Sequence, residues 1–149
     1  MITYRLTTGK FAKDMSGTGA KIYGGRWNPV GLGGLYTSQY ISLAILEILV
    51  RATRATSPVS YTLTSFEIPD NSIYQIQFGK LKNGWKYDLK YTQGIGEDFL
   101  IDNQSLCLKV PSAIVPQENN FLLNPLHSEF KKIKIIASEL LELDKRLTV

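Results

Sequence analysis

The sequence predicts one α+β domain over residues 1–149, with a mixed, mostly antiparallel sheet and flanking helices. Three observations carry this. The chain has 149 residues, the size of a single hydrophobic core. Apolar and polar residues alternate at 59–68, 73–78 and 105–116, which is strand periodicity. An apolar stretch at helical spacing occupies 39–54. That mix of strands and helices points to the α+β class. With 44% hydrophobic residues against 20% charged, the chain can fill a core without disulfides or metals.

Residues 2–6, ITYRL, read as a first strand, and residues 7–22, rich in Gly, Ser, Thr and Lys, as a loop. Gly17 and Gly19 do not make a dinucleotide fingerprint, because no third glycine falls at the required spacing and no strong strand precedes them. Residues 23–34 hold five of the twelve glycines, so the backbone there can approach a ligand closely. Leu35-Tyr36 begins a short extended piece, and Thr37 and Ser38 suit the N-cap of the next helix.

In that helix, at 39–54, Ile41, Ala44, Ile45, Ile48, Leu49 and Ala52 form one stripe. Leu43, Leu46 and Val50 cover the opposite side, so the helix is expected to be buried all round, with Ser57-Pro58 closing the region. Strands at 59–68 and 73–78 flank a turn at Pro69-Asp70-Asn71. Residues 81–91 read as a loop with a helical turn, and 94–104 as a helix entered from Gly94 and Gly96. Residues 105–116 read as a strand interrupted at Pro111, which suits an edge or a bulge. Residues 119–125 read as a hairpin return, and His127 to Lys132 as a short helix. The tail fits two periods. Ile133, Ile136, Leu140 and Leu143 form a helical stripe, while Ile135, Leu141 and Leu143 line a strand face.

Composition removes several function classes. A single cysteine, Cys107, excludes a disulfide framework within the chain and reads as a buried core residue in the apolar run LCLKV. Cys/His zinc patterns are absent, so no metal is expected. The first ten residues lack the apolar core of a signal peptide, and no run approaches the length of a membrane span, so a cytoplasmic location is expected. The net charge of +4 fits a site for a small anion. The cluster Lys131, Lys132 and Lys134 reads as a solvated face or as a nucleic-acid patch.

Two charges stand out. Arg26 lies in the glycine-rich loop, where a guanidinium fork and exposed backbone N–H groups suit a phosphate or pyrophosphate; otherwise it packs on Trp27. Glu47 is the lone carboxylate of an apolar helix, which costs several kcal/mol, roughly, unless it is paired or faces a cleft. It is either an ion-pair partner of Arg5, Arg51 or Arg54, or an active-site acid. Tyr36 joins the loop to the helix and reads as a core tyrosine with a bonded hydroxyl or as a site residue. Ser112, in VPSAIVP, has no nucleophile elbow around it, and the only histidine, His127, is a thin basis for a hydrolase triad.

The blocks GGRWNPVGLGGLYTS, AILEILVR, VPSAIVPQENNFLLNPLHSEF and LELDKRL, in this order, resemble the RES-domain family. The resemblance runs from Tyr4-Arg5 to Asp144-Arg146; Gly33-Gly34 replaces a proline-containing turn, and residues 66–105 match nothing distinctive. It implies a fold similar to ADP-ribosyltransferases and a bacterial toxin restrained by an Xre-type helix-turn-helix antitoxin. NAD⁺ is then a substrate, not a cofactor. It is cleaved by water or inorganic phosphate, or its ADP-ribosyl group is moved to a protein acceptor.

The resemblance places the catalytic residues at Arg26, Tyr36, Glu47 and Ser112. It places NAD⁺ binding at Arg5, Arg26, Trp27, Tyr36, Asn124 and His127. Bond breaking at the ribose passes through an oxocarbenium-like state, so an anion near the sugar, cations near the pyrophosphate and an aromatic at the nicotinamide are the groups required. Ser112 either binds the ligand or holds Glu47. Direct DNA binding is not expected without the antitoxin. A non-catalytic module binding RNA or protein, carried by the basic cluster and by Trp85, Tyr87 and Tyr91, is the reading from another class.

Overall fold

A computed structural model describes residues 1–52 and 60–148. Its strands are β1 (Ile2–Thr7), β2 (Leu35–Ser38), β3 (Ser60–Glu67), β4 (Ile73–Gln75), β5 (Cys107–Pro111), β6 (Asn119–Leu123) and β7 (Lys134–Glu142). They form one sheet in the order β4-β5-β6-β2-β1-β3-β7, antiparallel throughout except for the parallel pair β4–β5. The helices among the described residues are α1 (Thr18–Tyr23), α2 (Ile41–Leu49) and α3 (Leu89–Asp102). The α+β expectation, one domain on a mixed sheet, therefore holds.

Strand alternation distributes the core over both faces. On one face Leu6, Tyr61 and Leu63 pack with Ala44 of α2. Beside them Leu108, Val110 and Leu122 pack with Phe99 and Leu100 of α3. The opposite face buries Leu35, Phe66, Phe121 and Leu123 with Ile133. Cys107 lies in this second layer, fully buried, and burial pushes its thiol up to about 12.

Several elements depart from the sequence expectation. Helix α2 is not buried all round: Leu43 and Ala44 are buried, Ala44 against the sheet, while Leu46 is 38% and Val50 63% exposed. A single sheet face covers only one side of a nine-residue helix, whatever the apolarity of the other side. Thr37 and Ser38 belong to β2, and Tyr40 is the N-cap of α2, without a side-chain cap bond. Helix α3 begins at Leu89, capped by Asp88, so Gly94 and Gly96 lie inside it. Pro111 closes β5 instead of interrupting it. The loop expected at 7–22 contains α1, and the short helix expected at 127–132 is a 3-10 turn over Phe130–Lys132. The tail is strand β7. Thr53, Arg54 and Ser57-Pro58 lie outside the described residues.

Candidate active site

The sheet opens where the site lies. β1 pairs with β3 along its whole length, from Ile2 opposite Glu67 to Thr7 opposite Thr62. With β2 it pairs at one position, Tyr4 opposite Ser38. Beyond it the two strands part, and a cleft of about 670 Å³ fills the seam, the size of a small-molecule pocket. The walls include Arg5, Arg26, Tyr36, Glu47, Arg51 and Asn120. Three guanidiniums thus line a cleft that holds two carboxylates, Glu47 and Asp14, a field suited to an anionic ligand.

Glu47 enters the cleft from α2. Its Oε1 accepts from Ser112 Oγ at 3.0 Å and from Asn120 Nδ2 at 2.5 Å. Among the described residues its other oxygen, Oε2, makes no hydrogen bond, and no ion pair to Arg5 or Arg51 forms. The ion-pair reading of Glu47 is therefore not met among these residues, and Arg54 lies outside them.

Ser112 follows β5 and is 0% exposed. Its hydroxyl donates to Glu47 and accepts from the N–H groups of Ile114 (3.0 Å) and Val115 (3.1 Å). One donor and two acceptor sites are all that a hydroxyl has. Ser112 thus holds Glu47, and no lone pair remains for attack on a substrate.

Arg26 is fixed from α3 and the turn before it. Its Nη1 donates to the Lys86 carbonyl at 2.8 Å. Its own carbonyl accepts from Thr92 Oγ1 at 2.6 Å, and the Gly25 carbonyl accepts from Gln93 Nε2 at 2.9 Å. A Cβ on Gly96 would stand 1.4 Å from the Trp27 carbonyl oxygen, so this turn of α3 lies directly on the loop backbone. The otherwise undistinctive region 66–105 thus supplies the frame for the arginine.

Tyr36 braces the loop from the other side. Its hydroxyl donates to Asn28 Oδ1 at 2.6 Å and accepts the Trp27 N–H at 3.1 Å. A Cβ on Gly25 would come within 2.7 Å of that hydroxyl. Burial raises the Tyr36 hydroxyl far above its ordinary value, against smaller downward effects from the Trp27 N–H, Arg51 and Arg26. Tyr36 is then a ring wall and a brace, not a proton donor to substrate. Tyr36→Phe should cost about 2–4 kcal/mol, because the Asn28 oxygen and the Trp27 N–H both lose their partner. A urea titration reads this as a lower midpoint at unchanged slope.

Arg5 lines the cleft, but its Nη2 already donates to the carbonyls of Phe11 (2.9 Å), Ala12 (3.2 Å) and Asp14 (2.8 Å). Burial draws its guanidinium below the ordinary value, with Asp14 opposing. It ties down the segment after β1 and adds positive potential to the seam.

Of the three remaining expected ligand contacts, two lie outside the cleft. Trp27 lines the cleft, but its side chain is 2% exposed and its ring packs on Trp85 with centroids 5.8 Å apart. Asn124 is buried outside the cleft, where its amide donates to Leu100 O and Asn103 Oδ1. His127 also lies outside the cleft, and its Nδ1 accepts the Glu129 N–H within a turn. Asn124 ties the end of β6 to the C-terminal end of α3, and its Oδ1 accepts the Leu126 N–H of the connection that follows.

Among the cleft residues that the sequence did not assign to the site are Asn120, Ser38, Arg51 and Asp14. A signal for Asn120 existed. In NNFLL the alternation puts it on the face opposite the core residue Phe121. Of the basic cluster, Lys132 pairs with Glu129 at 2.7 Å, and none of Lys131, Lys132 and Lys134 lines the cleft. Among the described residues no helix is long and apolar enough to cross a membrane, and no group of His, Cys, Asp or Glu side chains is placed to hold a metal ion.

Known proteins resemble this chain in sequence and in fold. The family model described as RES domain matches residues 2–144. The chain is 41% identical over 135 residues to Toxin Res of Photorhabdus laumondii subsp. laumondii, covering 89% of this chain and 86% of that protein. It is 37% identical over 128 residues to the Prs ADP-ribosylating toxin of Sphingobium sp. (strain YBL2), covering 83% and 80%. Among solved structures, a chain of the M. tuberculosis MbcT-MbcA toxin-antitoxin complex superposes with a TM-score of 0.77 at 20% identity, over 99% of this chain and 86% of that one. At that identity the likeness shows a shared fold.

Proposed function

This chain belongs to the RES-domain family, and from that premise we propose that it is a toxin that consumes NAD⁺ by cleaving the bond between nicotinamide and ribose. The observation that carries the reading is Glu47. One carboxylate oxygen is fixed by Ser112 and Asn120, and the other is unbonded among the described residues, in a cleft lined by three arginines.

The chemistry follows from these groups. Nicotinamide leaves with the bonding electron pair, and positive charge builds on the ribose carbon and ring oxygen. The Glu47 carboxylate stabilises that charge or holds a ribose hydroxyl. Arg26, with Arg5 behind it, offsets the pyrophosphate charge. The Tyr36 ring orients the nicotinamide. Water completes hydrolysis by bonding to the ribose carbon and losing a proton; inorganic phosphate does the same in phosphorolysis. Nicotinamide release, followed with and without phosphate, tests the reading. Free ADP-ribose marks hydrolysis, and its phosphorylated form marks phosphorolysis.

A second reading, transfer of ADP-ribose to a protein, is favoured by the Sphingobium relative, whose name describes an ADP-ribosylating toxin. Label from NAD⁺ on a protein band would select it. A neutralising partner is also proposed. The M. tuberculosis structure of similar fold is a toxin-antitoxin complex, and the family resemblance makes an Xre-type helix-turn-helix protein the expected class for this chain.

A further inference from the structure

We infer that Asn120 is a positioning residue for Glu47 and that Ser38 holds the Asn120 amide in place, an inference that rests on the reading of Glu47 as the reacting carboxylate. Ser38 and Asn120 face each other in the β2–β6 register. Ser38 Oγ donates to Asn120 Oδ1 at 2.7 Å, and Asn120 Nδ2 donates to Glu47 Oε1 at 2.5 Å.

An amide presents an acceptor at one end and donors at the other. The reverse orientation would satisfy Ser38 equally well, because a hydroxyl also accepts, but it would set two oxygens against each other at Glu47. The carboxylate therefore selects the orientation, and the Ser38 hydroxyl holds it.

The second donor matters because of what one donor cannot do. A carboxylate held only by Ser112 can pivot about that bond and exchange its oxygens. Ser112 follows β5 and Asn120 stands on β6, so the two donors approach Oε1 from different strands. Together they stop the pivot and reserve Oε2 for the substrate. Small misplacements of a reacting group are costly, about 10²-fold for 1 Å.

Two measurements on the full-length protein test this. In steady-state NAD⁺ consumption, Asn120→Ala should lower kcat by about 10- to 100-fold with KM within about twofold of wild type. Ser38→Ala should lower kcat less, in the same direction. In side-chain amide NMR of ¹⁵N-labelled protein, the Asn120 NH₂ signal should move when Glu47 is replaced by Ala and again in Ser38→Ala. Wild-type kcat in a folded Asn120→Ala protein would overturn the positioning role. An Asn120 signal indifferent to Glu47→Ala would overturn the contact itself. If wild-type protein leaves NAD⁺ intact, it is the functional reading that fails, and the amide signal alone decides the placement of Asn120.

Discussion

Glu47→Gln should lower NAD⁺ consumption by about 10³-fold while the protein stays folded, a loss of about 4 kcal/mol of transition-state stabilisation. The substitution is chosen to separate charge from shape. A glutamine oxygen can still accept from Ser112 and Asn120, so the contacts that anchor the side chain in wild type are retained. What disappears is the negative charge. The melting temperature should stay within about 4 °C, since less than about 1 kcal/mol of stability is at stake at this chain length. Glu47→Ala is a harsher test, because it strips two donors of their acceptor and mixes a folding cost into the kinetic loss.

The second large effect concerns α3. Gly96→Ala should destabilise the protein by about 3 kcal/mol, whereas Gly94→Ala in the same helix should stabilise it by up to about 1 kcal/mol. In a free helix both changes are favourable, because glycine carries the greater backbone entropy. A Cβ at Gly94 meets nothing within 4 Å. At Gly96 it meets the Trp27 carbonyl oxygen at 1.4 Å, and backbone cannot swing aside as a flexible side chain can. Helix and loop must separate, which strains the Thr92 and Gln93 bonds that hold Arg26 and Gly25. Thermal melts would read the difference as a fall of roughly 6–12 °C for Gly96→Ala against a small rise for Gly94→Ala. Because the same contact frames Arg26, NAD⁺ consumption should fall in Gly96→Ala even at temperatures where it is folded.

These two sites also show how far the sequence reaches. Glu47 was legible because a lone carboxylate on an apolar helix demands an explanation, and Arg26 because glycines expose backbone around a guanidinium. Gly96 was misread as a helix entry, since local propensity treats glycine as a breaker while the cause is a backbone contact 69 residues away in sequence, from Trp27 to Gly96. Trp27 was offered to the nicotinamide as an aromatic, yet its ring packs on Trp85 and is 2% exposed. Asn124 and His127 were expected from the resemblance, but both lie outside the cleft, Asn124 bonded to the end of α3 and His127 Nδ1 within a turn.

The tail shows a different limit. Its helical spacing of Ile133, Ile136 and Leu140 comes from a bulge. Ser65 faces Ala137 and Phe66 faces Ile135, so Ile136 is an extra residue that breaks the strand alternation. Periodicity reports faces only while the register is unbroken. Asn120 needed the β2–β6 register to be recognised, because only there does it stand between Ser38 and Glu47.

Nicotinamide release from NAD⁺ by the purified wild-type protein, measured beside Glu47→Gln at equal concentration, tests the central claim most directly. The account predicts stoichiometric appearance of nicotinamide and an ADP-ribosyl product with wild type, and about 10³-fold less with the variant. Intact NAD⁺ with folded wild-type protein, or equal release by both proteins, would contradict it.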